Sequence, residues 1–216
     1  MTLLMFHQSE SFAILTTDTL VTDSANGNAP AMYRSKVWSF PHLNLAMAVT
    51  GIADLGDVWN NVLRRAGGVR DIEGVNASAP EDLTRIFADL QEFYSEDIGT
   101  ATVYLFGFPH NSNQMVRYIY RSPKGFESER HVDPGCFAAK PPPQKFDLYI
   151  PANRDEVIEM AERLREENGD GTGAGTVAIG GELFQTLVEN GRIHTDRIYR
   201  FPDYEETWAR MPLGVI

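Results

Sequence analysis

The chain has 216 residues, 43% hydrophobic and 23% charged, which allows a sizeable core and argues against long disorder. A net charge of −11 repels phosphate backbones and sets nucleic acid aside as a general partner. The lone cysteine, Cys136, excludes an internal disulfide and a zinc site built on a Cys pair, and no stretch reaches the ~20 apolar residues of a membrane helix.

The first predicted strands are residues 2–6 and 11–17. No basic residue precedes the first apolar run, and His7, Gln8, Ser9 and Glu10 cut it short. No signal peptide is read, so the expectation is a cytoplasmic protein with no membrane contact. The run "DSANGNAP" carries turn chemistry, and "AMYRSKVWSF" and "LNLAMAVT" follow as strand-like segments. Next, Leu55, Val58, Trp59, Val62 and Ala66 recur at helical spacing, with Gly67 and Gly68 as a stop. A second helix is predicted from Ser78, where Ser78 and Glu81 have capping-box spacing and Pro80 sits in the first turn. Its apolar face is Leu83, Ile86, Phe87, Leu90 and Phe93.

"TATVYLFGF" and "QMVRYIYRS" read as a hairpin across "PHNSN". Pro141, Pro142 and Pro143 forbid regular pairing and mark a rigid loop inside one domain spanning 1–216. Cys136 is read as part of the same loop region. A third helix starts at the cap Asn153, with Glu156 completing its box and Val157, Met160, Ala161 and Leu164 facing the core. The strands "TVAIGG", "LFQTLVENG" and "RIYRFP" close the pattern. Strands flanking helix groups imply an α+β fold of stacked sheets with helices outside.

Several candidate sites read as structure. Cys136 and His131 could form a nucleophile pair, but a half-buried residue in a Pro-rich loop is the simpler reading. The other histidines lack metal-ligand spacing, so no metal is predicted. "DGTGAG" lacks the lysine of a phosphate loop and does not match the dinucleotide fingerprint, so no cofactor is predicted either.

One constellation remains. Thr2 stands next to Met1, Asp18 follows sixteen positions after Thr2, Lys36 lies beyond the next turn, and "AMAVTG" places Gly51 at the mouth of a helix. This order resembles the β-type subunits of the proteasome and the related bacterial HslV-type and Anbu-type proteins, all Ntn hydrolases. The resemblance implies a four-layer αββα sandwich and an N-terminal-threonine amide hydrolase that works through an acyl-enzyme on a peptide or small amide. It implies Thr2 as nucleophile, its free α-amine as base once Met1 is removed, Asp18 and Lys36 as tuning residues, and the Gly51 amide as oxyanion donor. It also implies a homo-oligomer, ring or stack. The chemistry is coherent. A threonine hydroxyl needs a base, and an α-amine of pKa about 7.7–8.0 is partly neutral near pH 7. The chain departs from the family pattern in spacing and in two motifs. Lys36 lies 34 positions after Thr2, slightly further than the family interval, and the stretch from Lys36 to Gly51 is about one residue too long. The family's Gly-Ser-Gly turn before the third helix is missing from "HVDPGCFAAKPPP", and "DGTGAG" keeps Asp170 but has Gly173 where a serine is expected. The alternative is therefore a non-catalytic scaffold that self-assembles through the same sandwich.

Overall fold

Alternation along each strand decides which side chains meet, because successive residues point to opposite faces of a sheet. The computed structural model describes residues 3–23, 26–94, 98–172 and 176–212. Its first five-stranded sheet is built from β1 (Leu4–Gln8), β2 (Phe12–Asp18), β10 (Cys136–Lys140), β11 (Glu182–Glu189) and β12 (Arg192–Arg200). The order across it is β10-β1-β2-β11-β12, with every neighbouring pair antiparallel. The second contains β5 (Val37–Phe40), β6 (Leu45–Thr50), β7 (Thr102–Gly107), β8 (Val116–Arg121) and β9 (Glu129–His131) in sequential order. A two-stranded sheet, β3 (Leu20–Asp23) with β4 (Ala29–Tyr33), stands apart from both.

Four helices complete the α+β architecture among the described residues: α1 (Ala53–Arg65), α2 (Ile72–Tyr94), α3 (Arg154–Asn168) and α4 (Tyr204–Arg210). No helix there is long and apolar enough to cross a membrane. Leu4, Phe6, Ala13 and Leu15 of the first sheet share one apolar cluster with Ala46, Ala48, Tyr104 and Phe106 of the second. The alternate residues of β6, Leu45, Met47 and Val49, pack with Leu55 and Trp59 of α1 and Leu83 and Ile86 of α2. The alternate face of β1 places Met5 beside Met160, Ala161 and Leu164 of α3. Each fully buried side chain of this kind contributes about 1.5–3 kcal/mol. Together these contacts are consistent with a sandwich.

The structure corrects several sequence expectations. The second helix begins at Ile72, so Ser78, Glu81 and Pro80 lie inside it. Asp71 caps it instead: its Oδ1 accepts from the Gly74 amide at 2.9 Å, and its carbonyl accepts from Val75. Ile72 and Val75 extend the buried stripe toward the start of the helix, and that packing outweighs the internal box. Cys136 opens the edge strand β10 opposite Gln8. It and His131 therefore sit on different sheets. Residues 176–180 form no strand. The segment "AMYRSKVWSF" splits into β4 and β5, which leaves Arg34, Ser35 and Lys36 in the link between them. α4 went unpredicted because its seven residues are too short to show a period.

Candidate functional site

β2 ends at Asp18, beside the start of β1. The Asp18 side chain is fully buried and has three partners. Oδ1 accepts from the Leu3 amide at 3.0 Å and from Lys36 Nζ at 2.6 Å. Oδ2 accepts from the Gly180 amide at 3.2 Å. Lys36 Nζ also donates to the Leu20 carbonyl at 2.6 Å. The Gly180 carbonyl in turn accepts from the Thr19 and Leu20 amides, which fixes the strand exit on which Asp18 sits.

Lys36 is only 3% exposed, so its ammonium depends on this carboxylate. Burial pushes the Lys36 pKa below the ordinary lysine range. Asp18 opposes that shift, and nearby Arg34 adds to it. The pair is thus a buried ion pair in which both carboxylate oxygens are hydrogen-bonded, the arrangement that makes such a pair tolerable.

Lys36 faces a cavity of about 730 Å³ that Gly51 also lines. Gly51 follows β6 at the turn into α1 with φ +94. A Cβ built there would lie 2.0 Å from the Thr100 carbonyl oxygen, so only glycine fits both the conformation and the space. The structure therefore brings Asp18 and Lys36 together and sets Gly51 on the same cavity. Asp170 does not join them directly. It is exposed, and its carboxylate accepts from the Thr172 amide at 3.0 Å and hydroxyl at 2.6 Å. Those bonds hold its pKa below the usual carboxylate range. Its neighbour Gly171 reaches the cavity wall and accepts from Asn28 Nδ2 at 2.7 Å. Thr2 and Gly173 lie outside the described residues.

A second polar network on the same cavity was not legible in the sequence. Arg34 donates to Asp54 at 3.3 Å and to Asp57, and the Tyr94 hydroxyl donates to the other oxygen of Asp54. The Asp54 hydrogen bond, followed by burial, pushes the Tyr94 phenol up to about 12. This network joins the β4–β5 link, the first turns of α1 and the last turn of α2. No sequence signal links residues that far apart. The backbone groups of Leu3, Leu20 and Gly180 were equally invisible, because any residue type carries them.

No family model matches the chain, and a search of curated proteins found no match. Among solved structures, the fold aligns with Anbu (ancestral beta-subunit) from Yersinia bercovieri at a TM-score of 0.62 and 11% identity, covering 96% of this chain and 91% of that one. It also aligns with Anbu from Hyphomicrobium sp. strain MC1 at a TM-score of 0.58 and 12% identity, covering 96% and 94%. At such identities the likeness is one of fold.

Proposed function

We propose that residues 1–216 form one proteasome-like domain, a four-layer αββα sandwich, and that it is an N-terminal-threonine amide hydrolase acting as a homo-oligomer. The observation that carries this reading is the double role of Asp18. The same oxygen that holds buried Lys36 also holds the amide of Leu3, the nitrogen to which the Thr2 carbonyl carbon is bonded. A carboxylate that fixes both the first peptide unit and an ammonium is what terminal chemistry needs. A solitary structural ion pair needs only the ammonium.

Once Met1 is removed, the Thr2 α-amine takes the hydroxyl proton as Oγ1 attacks the substrate carbonyl carbon. The Lys36 charge favours the developing alkoxide, and Asp18 keeps Lys36 oriented. The Gly51 amide would donate to the tetrahedral oxyanion. Collapse breaks the C–N bond, and the α-ammonium returns its proton to the departing amine. Water then attacks the ester with the amine again as base, releasing the acid and restoring Thr2.

Intact mass tests this directly. The chain purified from its own cells should lack Met1 and gain the mass of a peptide epoxyketone, a reagent that closes a ring on a free amine and hydroxyl together. Thr2→Ala should gain nothing; equal labelling of Thr2→Ala would sink the reading. One observation favours the scaffold alternative: the Asp170 carboxylate is tied to Thr172 in a local turn and makes no hydrogen bond to Asp18 or Lys36 among the described residues. The scaffold predicts a discrete assembly by light scattering, and no adduct.

A further inference from the structure

We propose that the outer edge of β12 pairs with the same strand of a second copy, antiparallel about a two-fold axis through Thr195. This names a surface for the homo-oligomer proposed above and does not depend on the hydrolase chemistry. β12 closes one side of the first sheet and runs for 9 residues. The other edges of the two large sheets, β10, β5 and β9, have 5, 4 and 3 residues. Short edges resist pairing with another chain, so β12 is the exception. Residues 194–197 are exposed on both faces of the sheet, so neither the second sheet nor α3 covers that stretch.

The ladder fixes which backbone groups of β12 point outward. The Ser9 amide donates to the Phe12 carbonyl directly across the β1–β2 ladder. Hydrogen-bonded and non-bonded pairs alternate in an antiparallel ladder. Carried through the registers, that alternation turns Ala13, Leu15 and Thr17 toward β11, and then Glu189, Leu187 and Gln185 toward Arg192, His194 and Asp196. Ile193, Thr195 and Arg197 therefore aim their amides and carbonyls away from the sheet, and no hydrogen bond among the described residues reaches them. The free stretch ends at Ile198, whose carbonyl accepts from Arg154 Nε at 3.0 Å.

Outward residues pair only with outward residues. Centring on Thr195 uses all three: Thr195 meets its copy, and Ile193 meets Arg197 on either side. The same register sets Asp196 opposite His194 of the second copy, twice, in the close non-hydrogen-bonded positions. Imidazole N–H then faces carboxylate across the axis. Within one chain His194 Nε2 already lies 2.8 Å from Asp196 Oδ2, and both side chains are more than half exposed. Arg197 brings no unpaired charge, since Glu182 holds it at 2.8 Å. A slip of two residues either way loses a hydrogen-bonded pair and puts Asp196 against Asp196 or His194 against His194. The edge is therefore complementary to itself in one register, which is the reason for a second copy as its occupant.

Sedimentation over a range of concentrations reads the assembly. Thr195→Pro removes one outward amide and no ladder bond, giving up only the hydroxyl contact to Thr186 at 2.9 Å, and proline is tolerated on the outer side of an edge strand. It should halve the assembly mass at equal concentration and leave the far-UV circular dichroism unchanged. Single cysteines in a Cys136→Ser background, oxidised with diamide, read the register even if the proline variant fails to fold. Thr195→Cys should give a disulfide dimer, because a hydrogen-bonded pair spans about 5.5 Å between Cα atoms. Arg197→Cys should crosslink far less by itself, since its copy lies about 13 Å away, yet should crosslink with Ile193→Cys when the two proteins are mixed. Equal crosslinking of Thr195→Cys and Arg197→Cys overturns the pairing, as does a Thr195→Pro protein that assembles like the parent; either result leaves the homo-oligomer standing. A parent that stays monomeric at every concentration overturns both.

Discussion

Replacing Asp18 with Asn tests how far the buried pair depends on its carboxylate. The substitution keeps the shape and an oxygen for the Leu3 amide; it removes the charge opposite Lys36 and turns an NH2 donor toward the Gly180 amide, which loses its acceptor. An ammonium 3% exposed must then either stay charged without a counter-ion or lose its proton. Releasing the proton at pH 7 from a group of ordinary pKa ~10.4 costs about 4.6 kcal/mol, which is the ceiling. Breaking one side of a buried pair usually costs about 3–5 kcal/mol. The Leu20 carbonyl still accepts from Lys36, so the expected loss is about 3–4 kcal/mol at pH 7. Without Asp18 the folded pKa of Lys36 drops further below its unfolded value. Between those two values the unfolded chain binds more protons, so the stability of the variant rises with pH. The gap to the parent protein should therefore narrow from about pH 7 toward about pH 10. Urea unfolding midpoints at several pH values read this directly. Asp18→Asn combined with Lys36→Met should regain part of the loss, because no buried charge then remains. A single variant within about 1 kcal/mol of the parent at pH 7, or a penalty that stays flat with pH, would refute this account of the site.

Three further substitutions test the frame around it. Gly51→Ala meets both a positive φ and the Thr100 carbonyl at 2.0 Å. It should cost about 3 kcal/mol, lowering Tm by about 6–12 °C; a drop under about 3 °C would contradict the packing described. Leu83 is fully buried where α2 meets the second sheet, so Leu83→Ala should cost about 2–5 kcal/mol by chemical denaturation. Glu129 is held at about 2 instead of 4.5 by hydrogen bonds from Arg121 and then Lys124. At face value that is worth about 3 kcal/mol, and screening at this partly exposed position brings it to about 1 kcal/mol. The stabilisation is present above about pH 4.5 and is lost as pH falls toward about 2. Glu129→Gln should flatten the acid limb of the stability curve in that window, and an unchanged limb would show the pair to be inert.

Much of the candidate site was legible because its parts are residue types with unusual jobs. Asp18, Lys36 and Gly51 stood out by order and spacing, and the structure places all three around one buried pair and its cavity. The three main helices and the β7–β8 hairpin were likewise visible as periods of 3.6 and 2. Where the reading slipped, tertiary packing had overridden a local signal. Ser78 and Glu81 have the spacing of a capping box, yet Asp71 starts the helix because Ile72 and Val75 gain burial only as part of it. Cys136 looked like loop because its neighbours are prolines, yet β1 had an open edge for it to pair with. The sequence by itself determined the α+β class and the identities of the chemical groups, since both are written in side-chain pattern. Only the tertiary structure decided that the Leu3 and Gly180 amides and the Leu20 carbonyl complete the Asp18–Lys36 site, and that Arg34, Asp54 and Tyr94 share its cavity, with Asp57 holding Arg34. Backbone groups are the same in every residue, and contacts between distant segments exist only after the sheets and helices have packed.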